Sequence, residues 1–208
     1  AKVGVEGSNP FARSSFPNSN QSERNAMTGF LLAFVAVLLA GFGGRDQVLV
    51  AGISARQGER PALLLVALAS AALSAAAAVW LAGTFAPQLP PAARRMLAVL
   101  ALGLAAIDLL LTRRKPAPAE PTESLGAFSA VLLAQQLTDA ARFLLFAIVV
   151  ASVLPLAAGL GGVLGGMAVV TLGWSGGQAL LDLPLVVVRR WLGGALLVVA
   201  AVLFVALR

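Results

Sequence analysis

The chain has 208 residues, of which 59% are hydrophobic and 12% charged, and it carries a net charge of +6. Soluble globular domains hold about 45–50% apolar and about 25% charged residues, so the apolar excess has to face lipid, and a soluble enzyme is excluded before any motif is read. The absence of His and Cys removes imidazole and thiolate nucleophiles, Ser-His-Asp triads, His- or Cys-held metals and disulfides, and leaves only oxygen ligands for a metal ion.

Residues 1–26 are polar and unpatterned. They lack the apolar stretch of a secretory signal and have the composition of a disordered segment. Gly7-Ser8-Asn9-Pro10 back-translates as GGTTCGAATCCC, similar to the T-arm of a transfer RNA gene. The expectation is a non-native tail with Met27 as the true start, and no function is assigned to it.

A bilayer-crossing helix needs about 20 apolar residues, and six candidate spans follow. The first, 28–55, is interrupted by the polar run Gly43-Gly44-Arg45-Asp46-Gln47. The second and third are 61–85 and 92–111, followed by a charged, Pro-rich linker, 112–124. The fourth, 125–153, is interrupted by Gln135-Gln136-Leu137-Thr138-Asp139, and the fifth and sixth are 158–181 and 186–207.

The two halves read as repeats. Leu89-Pro90 matches Leu183-Pro184 at an offset of 94, and Arg94-Arg95 matches Arg189-Arg190 at 95. At the same offset of 95, Gly44 falls on Asp139, so the polar interruptions coincide. Three spans per half is an odd number, so the second copy crosses in the opposite sense, the inverted-repeat plan of many secondary transporters. The expected fold is all-α: a polytopic membrane protein with a first three-helix repeat at 27–111, a linker at 112–124 and a second repeat at 125–208.

Arg56, Arg60, Arg113, Arg114, Lys115, Arg189 and Arg190 follow the odd-numbered spans, against Arg94, Arg95 and Arg208 on the other side. This bias places the linker in the cytoplasm and the termini outside, with a bacterial inner membrane as the expected location. Basic residues confined to short loops report topology and make nucleic acid an unexpected partner. The expected partners are the lipid bilayer and a small inorganic ion or small solute.

Charged side chains inside a span are costly and are functional candidates by default. Arg45, Asp46, Asp139 and Arg142 stand out, with Gln47, Gln136 and Thr138 adding neutral oxygens. Gly43 and Gly44 free the backbone where a helix can break, and freed carbonyls beside carboxylates can coordinate a cation. Asp46 is therefore expected to pair with Arg142, and Asp139 with Arg45, if the charges only satisfy one another. Asp108 is expected to snorkel to the interface near Arg113. Asp182, Arg94 and Arg95 are read as topology anchors, as is the Arg189-Arg190 pair by its place in a loop. The glycines at 159, 161, 162, 165, 166, 176 and 177, and the Ala run of the second span, are expected to pack helices closely.

The layout resembles the Gdt-one-type manganese/calcium–proton exchangers of the lysine-exporter superfamily. Members have six spans in two inverted halves, each with Glu-x-Gly-Asp-(Lys/Arg)-(Ser/Thr), often followed by Gln, in its first span. In the first half Gly41 stands in place of Glu, Gly43 keeps the Gly, Gly44 replaces Asp, Arg45 keeps the basic residue, Asp46 replaces Thr and Gln47 is retained. In the second, Gln136 replaces Glu, Thr138 replaces Gly, Asp139 retains Asp, and Ala140, Ala141 and Arg142 replace Lys, Ser and Gln. The resemblance implies a transporter and not an enzyme, with manganese or calcium as transported ion and no resident cofactor. It implies Asp139 and Asp46 as metal ligands and Asp139 as central ligand or proton carrier, assisted by Gln136, Thr138 and Gln47. The alternative is a non-transporting membrane paralogue or assembly subunit whose charges are structural salt bridges. Two Asp beside two Arg sum to no net charge, which suits a zwitterion or small organic solute as well as a weakly held ion.

Overall fold

The computed structural model describes residues 19–111 and 124–207. They form eight α-helices and one 3-10 turn, with no strand among the described residues. The helices are α1 (Ser19–Gly41), α2 (Arg45–Gln57), α3 (Pro61–Phe85), α4 (Pro91–Leu111), α5 (Leu125–Leu137), α6 (Ala140–Ala151), α7 (Pro155–Leu181) and α8 (Leu185–Ala206). The turn, Ala86–Gln88, joins α3 to α4.

Local chemistry accounts for the boundaries. Pro61, Pro91 and Pro155 each open a helix, where the missing N–H costs nothing. Ser124 caps α5, its side chain accepting from the Ala127 N–H, as an N-cap serine does. Gly43 has φ 70° between α1 and α2, a left-handed turn that a side chain would disfavour. Gly177, with φ 44° and ψ −125°, kinks α7 near its end.

Four helices are long and apolar enough to cross a membrane, namely α1, α3 with its following turn, α7 and α8; α5 and α6, bent by 52° at their junction, make five if taken as one span. The chain is thus a helical, membrane-embedded protein. Both polar interruptions break a helix as expected, at Phe42–Gly44 and at Thr138–Asp139. The first span differs from its expected form. Helix α1 begins at Ser19, upstream of Met27, so α1 alone reaches crossing length and α2 continues beyond the break. Positions 20–25 are helical but exposed, so no packing holds that end. The rest of the expected tail, 1–18, and nearly all of the expected linker, 112–123, lie outside the described residues.

Helix α7 packs against α1, α2 and α3, while α4 packs against α6 and α8, and α6 also touches α1 and α3. The close contacts use small residues. On α3, Ala67, Ala71, Ala75, Ala78 and Ala82 are buried along one face. On α7, Gly161 lies directly against the Phe30 backbone of α1, and a Cβ at Gly165 would stand 2.7 Å from the Phe34 carbonyl oxygen. The expected small-residue packing is therefore present on both helices.

The polarity of the fold is reversed relative to a soluble domain. Trp80, Leu111, Leu156, Trp191 and Val205 are exposed, while Asp46, Gln47, Ser54, Ser70, Ser74, Gln136, Asp139, Arg142 and Arg189 are buried. A surface of large apolar side chains around a charged interior is stable only where the surroundings are themselves apolar.

Candidate functional site

The two helix breaks bring four helix ends together. An α-helix leaves unpaired N–H groups and positive partial charge at its N-terminus, and unpaired carbonyls with negative partial charge at its C-terminus. At the N-terminus of α6, Asp139 is the N-cap, and its Oδ2 accepts from the Ala141 N–H at 3.3 Å. At the N-terminus of α2 the N-cap is Gly44, and Asp46 Oδ1 accepts from the Gln47 N–H at 2.8 Å. Asp46, two positions past the place of the expected carboxylate, puts a carboxylate in the first turn of α2, where Asp139 at α6 stands at the cap itself.

The C-terminal ends take guanidinium groups. Arg189 Nη1 donates to the Ala40 carbonyl at 2.9 Å and the Phe42 carbonyl at 3.4 Å, both from the last turn of α1 and the break that follows. Arg45 Nη2 donates to the Thr138 carbonyl past the end of α5 at 3.0 Å. Each broken helix therefore has anions at its restarting end and a cation at its interrupted end, the arrangement the helix dipoles favour.

Ion pairs join these groups across four helices. Arg45 Nη2 lies 2.9 Å from Asp108 Oδ1, and Arg189 Nη2 lies 3.4 Å from both Asp108 Oδ2 and Asp139 Oδ1. The Ala140 N–H donates to Asp108 Oδ2 at 3.1 Å, so Asp108 also sits on the α6 N-terminus. The ladder runs inward: side-chain exposure falls from 36% at Arg45 and 19% at Asp108 to 1% at Arg189 and 2% at Asp139.

A second, neutral-bridged chain lies beside it. Arg142 Nε donates to Ser74 Oγ at 2.9 Å and its Nη2 to the Ala71 carbonyl at 3.3 Å. Ser74 Oγ stands 3.2 Å from Gln136 Oε1 and 3.1 Å from the Ala71 carbonyl, so its single proton serves one at a time. Gln136 Nε2 reaches Asp46 Oδ2 at 3.5 Å. Glycine makes room here: a Cβ at Gly166 would stand 3.1 Å from both Nη atoms of Arg142.

Several expectations change. Asp46 and Arg142 do not pair directly but communicate through Gln136 and Ser74. Asp139 pairs with Arg189 instead of Arg45, and Arg45 takes Asp108. Asp108 is not a snorkelling anchor: it faces inward and binds two guanidiniums, while Arg113 lies outside the described residues. Arg189 is buried and central, whereas its neighbour Arg190 is exposed. Thr138 is exposed and its hydroxyl bonds back to the Ala134 and Gln135 carbonyls, so only its backbone oxygen joins the cluster. Gln47 is buried but occupied, accepting from the Gly43 N–H at 2.7 Å and donating to the Val169 carbonyl at 3.1 Å. Gly43 and Gly44 pack against Arg189, with Cβ positions 3.4 Å from its Cδ and Nη1 respectively.

Of the cluster's members, Arg45, Asp46, Gln136, Asp139 and Arg142 stand out in the sequence, whereas Ser74, Asp108 and Arg189 do not. Helical spacing carried the missing signal. Leu185, Arg189 and Gly193 recur every four residues along the buried face of α8, and Ser74 lies on the buried Ala face of α3.

The cluster as a whole holds Arg45, Arg142 and Arg189 against Asp46, Asp108 and Asp139, so its net charge is zero. The Ala40 and Phe42 carbonyls with Asp108 and Asp139 put four oxygens around the Arg189 guanidinium, each accepting from it. Among the described residues no three carboxylates form a ready-made metal-holding group. A separate cavity of 590 Å³ between α1, α4, α6 and α8 is lined by Leu, Val, Ile and Ala, with Ser152 the one polar side chain. It reaches Ala40 and Leu109 beside the cluster, but no charged residue lines it. No family model, curated protein or solved structure matches the chain.

Proposed function

We propose that the chain is a secondary transporter of six crossings, working by alternating access around its two broken helices. The part of α1 from residue 28 onward and α2 form the first crossing, α3 the second, α4 the third, α5 and α6 the fourth, α7 the fifth and α8 the sixth. Helix α4 carries Arg94, Arg95 and Asp108 and is held in the membrane by α6 and α8. The halves 27–111 and 125–208 are an inverted repeat, with the linker in the cytoplasm of a bacterial cell.

The observation that carries this reading is the burial of Asp46, Asp139, Arg142 and Arg189, with Asp108 and Arg45 partly buried beside them, around the breaks of two interrupted helices. Interrupted helices whose ends carry charge near the membrane centre are the usual construction of a secondary-transporter site. The solute class is a divalent cation, manganese or calcium, exchanged for protons, or a small net-neutral solute in a relative whose site has diverged. Asp139 and Asp46 are the groups that bind ion or proton, with Gln136 linking Asp46 to Ser74 and Arg142.

A second reading is supported by the completeness of the charge pairing. Each Asp of the cluster has an Arg or a backbone N–H as partner, so the network can also serve as glue in a non-transporting membrane subunit. Radioactive-manganese and calcium uptake into proteoliposomes, with and without a pH gradient, separates the two. Transport predicts uptake that rises when protons can leave in exchange. Folded, correctly inserted protein with no uptake of either ion or of a zwitterion such as an amino acid would leave the structural reading standing.

A further inference from the structure

We propose that the oxygen shell around Arg189 is a cation site that the chain fills with its own guanidinium, and that a free inorganic cation binds there only when Arg189 withdraws. The hard-cation ligand class rests on the transport reading; the location rests on the geometry around Arg189.

Four oxygens surround this guanidinium: the Ala40 carbonyl at 2.9 Å, and the Phe42 carbonyl, Asp108 Oδ2 and Asp139 Oδ1 at 3.4 Å each. Two belong to the interrupted end of α1 and two are carboxylates from α4 and the α6 cap. Helix-end carbonyls joined by carboxylates are a donor set suited to hard cations. The shell is loose. The two carbonyls accept from Nη1 and the two carboxylates from Nη2, so the four oxygens surround two nitrogens and not one point; a bare ion, bonding at about 2.3–2.6 Å, would have to draw α1, α4 and α6 together.

The guanidinium is also imperfectly held. Arg189 is 1% exposed, yet its Nε is buried with no hydrogen-bond partner. Its Cδ lies 3.4 Å from the Cβ position of Gly43, and Nη1 is 3.4 Å from that of Gly44. Side chains at those two positions would crowd it. A buried donor left unmet lowers the cost of moving the group that carries it. Arg189 is the tethered competitor of a mobile cation, attached to α8, which packs on α4.

The test reads binding and needs no flux. Purified full-length wild type, Arg189→Ala and Arg189→Lys are titrated with Mn2+ alone, following free Mn2+ by electron paramagnetic resonance, and then with Ca2+ in competition. Arg189→Ala should bind Mn2+ more tightly than wild type by about tenfold or more, and Arg189→Lys, which keeps a tethered cation, should show no gain. Adding Asp139→Asn to Arg189→Ala should remove the gain. If Arg189→Ala is unstable, Mn2+, Ca2+ or guanidinium ion should raise its melting temperature while leaving that of wild type unmoved. Folded Arg189→Ala with unchanged affinity, a gain that survives Asp139→Asn, or an unstable variant that none of these cations rescues would each overturn the proposal. Absent flux with this binding pattern intact would overturn only the transport reading.

Discussion

Ser74 is the smallest member of the charged cluster and the one on which the inner chain depends. Its hydroxyl accepts from Arg142 and faces Gln136, and Gln136 reaches Asp46. Ser74→Ala leaves the Arg142 Nε unmet in a buried position and should cost about 1–3 kcal/mol, measured as a fall in melting temperature in detergent. Asp108 occupies the outer position, between Arg45 and Arg189. Asp108→Asn removes a charge shared by two guanidiniums in a partly exposed place, and about 1–3 kcal/mol is again expected, less than for a fully buried pair. Equal stability of wild type and Asp108→Asn would show the outer pairs to be as weak as surface salt bridges. These two residues also mark where sequence reading stops. Asp46 and Asp139 were legible because a charge amid apolar residues is conspicuous. Ser74 was not, because a serine in an Ala-rich helix also satisfies the small-residue rule. Arg189 was hidden by Arg190: a basic pair beside a loop reads as topology, and only the four-residue spacing from Leu185 to Gly193 distinguishes its buried member from its exposed one.

Elements show the same division between pattern and partner. The apolar part of each helix was legible from hydropathy, but the 19–26 start of α1 was not, because its polar composition reads as a disordered tail; both breaks fell where polar residues interrupt the apolar run. Which ends face each other was not legible, because pairing depends on helix contacts far apart in sequence. The adjacent glycines of α8 make this testable. A Cβ at Gly193 would stand 2.9 Å from the Leu109 Cβ and 3.0 Å from the Ala106 carbonyl oxygen of α4, whereas nothing lies within 4 Å of one at Gly194. Gly193→Ala should therefore destabilise by about 1–3 kcal/mol through overpacking. Gly194→Ala should be neutral or stabilise by up to about 1 kcal/mol, since alanine is the better helix former. Opposite shifts in melting temperature from neighbouring, chemically identical substitutions would locate the α4–α8 contact. Matching shifts would show that α8 presents a different face to α4.

At the scale of the molecule, the proposed topology puts the loop between α2 and α3 on the linker side and the turn between α3 and α4 on the opposite side. The chain contains no cysteine, so single substitutions report without background. Glu59→Cys should react with a membrane-impermeant maleimide only when the cytoplasmic face is open, and Gln88→Cys should react in intact cells. Both sites are exposed in the folded chain. Labelling of both from one side would remove the odd number of crossings between them and, with it, the inverted repeat. The central claim is that charges buried between two broken helices handle a solute, and Asp139 tests it most directly. Asp139→Asn keeps the cap position and leaves Arg189 with Asp108 and two helix-end carbonyls, so the fold should survive. Manganese entry into proteoliposomes under an imposed pH gradient, measured beside the melting temperature, should show pH-coupled flux in wild type and its loss in a still-folded Asp139→Asn. Flux in the variant equal to that of wild type, or loss of the fold by roughly 3–5 kcal/mol with no wild-type flux to lose, would contradict it.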